Sequence, residues 1–221
     1  MLLMERLASN IASKVALELK FDKDKEEVVA YGAFALLQIF LSISLVLLFG
    51  LLFHVAFEAL IISFTGAVLR KYSGGAHASS PGICTFVGII ICVIPAIFLS
   101  FLIGSWGTLN LTIVFGVMIF IWSYYKIYKL APVDSVKKPI KRDEKRKRMK
   151  EGSIIVLSLY LAIVISCIIL YVSNGDRKFL VYSGCIYLGV LWQVFTLTDQ
   201  GHLIMSKTDS FLSHLLVNIG G

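Results

Sequence analysis

The chain has 221 residues, is 57% hydrophobic and carries a net charge of +7, with a mean hydropathy of +0.84. So much apolar sequence excludes a water-soluble domain of this size and points to a polytopic membrane protein. The charge is local: between positions 137 and 150 nine basic residues stand against two acidic ones, Asp143 and Glu144, so this segment carries the whole excess. A nucleic-acid surface is the weaker reading of this segment, since a basic loop between membrane segments more often sets topology and touches anionic lipid.

In chain order, residues 1–25 predict an amphipathic helix. Leu3, Leu7, Ile11 and Val15 share one face, while Glu5, Ser9, Ser13 and Lys14 lie elsewhere. Such a helix rests on the membrane surface rather than crossing it. The charged run 22–27 reads as a solvated connection. Residues 28–53 are long enough to cross, at about 20 residues per crossing. Residues 55–69 are a shorter second segment: tilted, re-entrant or thinning the bilayer. His54 and Glu58, four apart, read as an interfacial pair sharing one face. A third span covers 83–103, with Pro95 a candidate kink, and a turn covers 104–108. A fourth span, 109–128, ends in Trp122, Tyr124, Tyr125 and Tyr128, an interfacial aromatic belt.

The basic loop, 129–151, follows, with Pro132 and Pro139 as helix stops. Spans at 153–172 and 179–197 flank a turn at 173–176, and a mildly amphipathic tail carries His202 and His214. The expectation is an all-α, polytopic single membrane domain over 1–221. It has about six membrane-embedded helical segments plus the N-terminal interfacial helix. The N-terminus lacks a basic region followed by a short apolar core, so no cleavable signal is expected. With the basic loop facing the cytoplasm, counting crossings puts residues 70–83 and both termini there too, and the turns at 104–108 and 174–178 outside.

The polar island between the second and third segments is where chemistry is expected. It holds Arg70, the pair Gly74-Gly75, His77 and Cys84. Ser80-Pro81 reads as an N-cap and first helical residue. Cys84 then falls in a first turn, where unpaired N–H groups and the helix dipole favour the thiolate, the nucleophilic form, and could form an oxyanion hole. Glycine backbone freedom lets the loop bring His77 back to Cys84. One His and one Cys seven positions apart also arise by chance. Two ligands do not make a zinc set, so no metal is expected. There is no phosphate-binding loop and no cofactor signature. The other cysteines, Cys92, Cys167 and Cys185, sit in apolar runs as small hydrophobes. Arg70 could hold a substrate carboxylate, brace the loop or be a plain positive flank. Asp134, Asp199 and Glu58 are candidates to orient His77.

Arg70, Gly74-Gly75-Ala76-His77-Ala78 and Cys84, with a second motif at Ala131-Pro132-Val133-Asp134 running on through Lys137-Lys138-Pro139-Ile140, resemble the AgrB (accessory gene regulator B) family of bacterial membrane endopeptidases. The family often has an aromatic before the His and an Asn where Lys137 stands; neither departure touches a catalytic position. The resemblance covers nearly the whole chain. It implies a cysteine endopeptidase with His77 and Cys84 catalytic and Gly74, Gly75 and Arg70 supporting. The implied substrate is an AgrD-like quorum-sensing propeptide, with the N-terminal helix either helping to engage it or serving as a plain membrane anchor. A thioester on Cys84 would be resolved by an internal nucleophile that closes a ring. A homodimer in the cell membrane is also implied. The rival is a non-enzymatic peptide transporter or exporter subunit, in which His77 and Cys84 are incidental. It would be expected to line its path with charges, which the spans scarcely contain.

Overall fold

The computed structural model describes residues 2–76, 80–106, 109–134 and 142–219. Within these the chain is helical, in eight segments: α1 Leu2–Leu19, α2 Lys23–Leu52, α3 Ala56–Ser73, α4 Pro81–Trp106, α5 Leu109–Leu130, α6 Asp143–Asn174, α7 Lys178–Phe195 and α8 Asp199–Ile219. Five of them, α2, α4, α5, α6 and α7, are long and apolar enough to cross a membrane. This is the all-α polytopic architecture expected. The second segment, α3, is not among the five, because its eighteen residues include Glu58, Arg70 and Lys71.

Two compact units form, Met1–Leu45 and Val46–Gly221. In the first, α1 buries the small-residue stripe Ala8, Ala12 and Ala16 and leaves Leu7 and Ile11 exposed. Ser13 Oγ donates to Glu26 Oε1 at 2.7 Å. The charged run expected as a connection is largely the first turn of α2. The Asp22 carboxylate accepts the Lys25 N–H at 2.9 Å, and Asp24 and Glu26 suit the positive end of the helix.

The second unit is organised on α7, which is buried along most of its length. Helix α3 runs parallel to it. Phe57 stacks on Tyr182 at one end, with ring centroids 5.3 Å apart, and Gln193 bonds Ser73 at the other. The helices approach closely because Gly189 has no side chain; a Cβ there would meet Thr65 Cβ at 2.7 Å. Small residues at such crossings let backbones near one another where apolar side chains gain little by leaving lipid. Helix α3 thus packs along α7 from Phe57 to Ser73 although its charges keep it from the five helices apolar enough to cross. Tyr160 of α6 donates to the Thr65 carbonyl at 3.0 Å. Tyr187 of α7 packs into the space left by Gly116 of α5.

The turn between α2 and α3 corrects one expectation. His54 lies outside α3, at φ 58, in a turn closed by the Val55 N–H on the Gly50 carbonyl at 2.8 Å. His54 and Glu58 therefore share no helix face, and they form no ion pair. The turn is this tight because Gly50 sits against Ala56, where a Cβ would come within 2.7 Å of its Cα.

Candidate active site

One end of the second unit gathers the end of α3, the start of α4, the end of α5, the start of α6 and the α7–α8 junction. The contact that joins them is an isolated parallel bridge between Gly74 and Val133, in which the Val133 N–H donates to the Ser73 carbonyl at 2.9 Å. The two sequence motifs, 59 positions apart at this bridge, thus touch through their backbones. Helix α3 runs on through Ser73, so Arg70, Lys71, Tyr72 and Ser73 are its last turn rather than part of a loop. Tyr72 packs over Gly152 of α6 and Ser73 is fully buried, which ties that turn down.

Most polar groups of the segment leading to residue 77 have a partner, although Arg70 Nε is buried without one among the described residues. The Gly74 N–H returns to the Arg70 carbonyl at 2.9 Å. The Gly74 carbonyl accepts from Gln193 Nε2 at 2.7 Å. The Ala76 N–H donates to the Thr196 carbonyl at 3.0 Å. The Arg70 guanidinium donates to the Ala76 carbonyl and lies 3.4 Å from that of Gly75. Arg70 therefore braces the loop, one of the roles open to it. Burial lowers its pKa from the ordinary arginine value, and Cys84, within electrostatic reach, raises it. Arginine remains a cation under any such shift, so a fixed positive charge lies within electrostatic reach of Cys84.

Both glycines have positive φ, 69 for Gly74 and 128 for Gly75. A Cβ at Gly74 would fall on the Val133 carbonyl, and one at Gly75 would come 2.6 Å from Thr196 Oγ1. The pair is there as much for close approach as for freedom to turn.

Helix α4 begins as the sequence predicts. The Ile83 N–H donates to Ser80 Oγ at 3.2 Å and the Cys84 N–H to the Ser80 carbonyl at 3.1 Å. These bonds revise the expected oxyanion hole. The first-turn donors at 83 and 84 are occupied, and Gly82 N–H is the one with no partner among the described residues. Cys84 is exposed, whereas Cys92 and Cys185 are buried and Cys167 is half-buried. His77 and Ala78, like Lys137, Lys138, Pro139 and Ile140 of the second motif, lie outside the described residues.

Of the carboxylates that could orient His77, Glu58 is at the far end of α3, about 22 Å along the axis from Ser73 at 1.5 Å per residue. Asp199 is exposed at the start of α8. It lines a shallow cavity of about 240 Å³ with Trp122, Lys126, Phe195, Thr198 and Gln200. Asp134 follows Val133; its Oδ2 pairs with Arg146 at 3.0 Å, and its Oδ1 is buried without a partner among the described residues. Half-way into the basic segment the chain becomes helical, so Lys145 to Lys150 project from α6. There Lys150 Nζ sits 4.2 Å from the Tyr128 ring centroid. Among the described residues no cluster of His, Cys, Asp or Glu could hold a metal.

Sequence reading missed Gln193 and Thr196. The available signal was a single amide in an otherwise apolar span, a costly residue to bury without a partner.

Fold and site together define a polytopic helical membrane protein with an exposed thiol at a helix N-terminus, set against a braced glycine loop. The chain belongs to the AgrB family, accessory gene regulator B, which matches residues 8–197. It is 43% identical to Putative AgrB-like protein 2 of Clostridium perfringens strain 13, over 97% of this chain and all of that one. It is 33% identical to Accessory gene regulator protein B of Staphylococcus intermedius, over 67% of this chain and 69% of that one. A Putative AgrB-like protein of Listeria innocua is 25% identical over 93% of this chain and 91% of its own. No solved structure matches the chain.

Proposed function

We propose that this chain is a membrane-embedded cysteine endopeptidase that cleaves an AgrD-like propeptide toward its C-terminal side and permits cyclisation of the retained part. The observation that carries the reading is the placement of Cys84. It is the exposed thiol in the first turn of α4, directly after the loop that bears His77 and within reach of the Arg70 charge.

His77 takes the thiol proton and the sulfur attacks the scissile carbonyl carbon. The Gly82 N–H and Arg70 supply positive potential where the oxyanion forms. The C–N bond breaks and His77 returns its proton to the leaving amine, which departs with the C-terminal fragment. A thiol within the retained peptide then attacks the Cys84 thioester. A thioester forms as a thioester breaks, Cys84 recovers its proton and the ring closes. This exchange is close to energetically neutral apart from ring strain and chain entropy, so no nucleotide is consumed.

Wild-type protein mixed with propeptide should gain the mass of the retained peptide, and hydroxylamine should remove it. A propeptide lacking its ring-closing nucleophile should make the adduct accumulate. Free fragments with no adduct, even from that substrate, would rule out the covalent route.

The proposed setting is the bacterial cell membrane, with the site end and both termini cytoplasmic and a second copy of the chain as partner. The bridge between Gly74 and Val133 supports a common side for the island and the basic segment, and the cations of α6 suit an anionic inner leaflet. In a Cys84→Ala background, a membrane-impermeant thiol reagent on intact cells should label Asn174→Cys and spare Lys145→Cys. Labelling of the latter from outside would reverse the orientation.

A further inference from the structure

We propose that Gln193 is a positioning residue for His77, acting through the Gly74–Ala76 backbone; the inference rests on the cysteine endopeptidase reading. Gln193 lies in the last turn of α7, 1% exposed, and is 116 positions from His77 in sequence. Its side-chain nitrogen makes two bonds, to Ser73 Oγ at 3.0 Å and to the Gly74 carbonyl at 2.7 Å. A carbonyl can only accept, so the nitrogen and not the oxygen of the amide faces the loop. The Ser73 hydroxyl, accepting from Gln193, donates its own hydrogen bond to the Leu69 carbonyl at 3.0 Å. One amide thus joins α7, the last turn of α3 and the first residue beyond that helix.

Three residues later the same helix end engages the loop again. The Thr196 carbonyl accepts the Ala76 N–H, and Thr196 Oγ1 donates back to the Gln193 carbonyl at 2.7 Å. The hydroxyl fixes the α7 terminus that carries both grips. Gly75, between the two gripped residues, lies against both side chains, with a Cβ 2.6 Å from Thr196 Oγ1 and 3.4 Å from Gln193 Nε2. The chain therefore leaves Ala76 on a course set by α7 from one side and by Arg70 from within α3. A loop of such short residues has little packing of its own to hold that course. In an apolar interior, each of these bonds is costly to leave unmade. Catalytic geometry is sensitive at this scale: displacement of a reacting group by about 1 Å costs on the order of 100-fold in rate.

The test uses the full chain in detergent or proteoliposomes, with propeptide lacking its ring-closing nucleophile, and reads the rate of adduct formation on Cys84. Gln193→Met keeps the side chain's length and removes both donors. Acylation should slow by about 100-fold with KM for propeptide within twofold of wild type. Alkylation of Cys84 by iodoacetamide at neutral pH should fall to the rate of His77→Ala. Adding Gln193→Met to His77→Ala should slow neither reaction further, because Gln193 acts only through that imidazole. Val190→Ala, in the buried core of α7 one turn earlier, is the stability control: it should lower the Tm and leave acylation intact. Multiplicative losses in the double variant, or equal acylation losses in Val190→Ala and Gln193→Met, would assign Gln193 a structural role and overturn the inference. Wild-type acylation by Gln193→Met would also overturn it, with the endopeptidase reading left standing. Absence of any adduct on the wild-type protein would remove that reading and this inference together.

Discussion

Cys84→Ala will reduce propeptide cleavage to background, a loss on the order of 10⁶-fold, the size seen when a covalent nucleophile is deleted. Insertion and propeptide binding will persist. The expectation follows from placement: Cys84 is exposed at the N-terminus of α4, so removing its sulfur opens no core cavity. Cys84→Ser will fail as well. A hydroxyl is a far weaker nucleophile than a thiol at neutral pH, and the imidazole proposed as base need only deprotonate sulfur. Alanine at Cys92 or Cys185, both buried, will lower the Tm and leave single-turnover cleavage within a few-fold of wild type. Gel-resolved single-turnover cleavage with saturating enzyme separates these cases. Cleavage by Cys84→Ala within tenfold of wild type would end the cysteine-protease reading and revive the transporter.

What the sequence made legible was local or periodic. Ser80-Pro81 declares a helix start because an N-cap hydroxyl and a residue with no N–H are chemistry of adjacent positions, and Ser80 Oγ indeed takes the Ile83 N–H. Apolar runs declare embedded helices because length and composition alone decide whether a helix can cross. Charge is a poorer guide to boundaries. The run at 22–27 looked like a connection, yet its acids sit where a helix N-terminus wants them, and the Asp143–Glu144 pair does the same for α6.

The rest of the site depends on partners far away in sequence. Nothing within residues 70–84 says that Ser73 is buried, that Arg70 reaches the Ala76 carbonyl, or that Gln193 holds the Gly74 carbonyl from 119 positions away. The bridge between Gly74 and Val133 was present only as two motifs of one family, with no physical reason to touch. The glycine pair was read for its backbone freedom, whereas its lack of side chains matters as much, since Val133 and Thr196 occupy the space a Cβ would need.

That distinction between freedom and space gives the sharpest test of the loop, in two glycines of nearly equal φ. Gly74 stands at φ 69 and ψ −148, a region that only glycine enters without cost. Gly175, the C-cap of α6, stands at φ 70 and ψ 3, a left-handed helical conformation that alanine adopts for about 1–2 kcal/mol. No atom lies within 4 Å of a Cβ at Gly175, whereas a Cβ at Gly74 would collide with the Val133 carbonyl. Gly175→Ala should therefore lower the Tm by a few degrees and leave adduct formation unchanged. Gly74→Ala must push Val133 away, breaking its N–H bond to the Ser73 carbonyl and moving the Gly74 carbonyl off Gln193. Acylation of Cys84 should fall at least about 100-fold, the cost of an ångström-scale displacement at a reacting centre. The companion change Val133→Ala should leave acylation within a few-fold of wild type, because the bridge uses the Val133 backbone and not its side chain. Measuring all three by the mass of the Cys84 adduct, with Tm recorded alongside, separates strain at a turn from loss of the loop. Near-normal acylation in Gly74→Ala would mean that the contact between the two motifs is dispensable to the site.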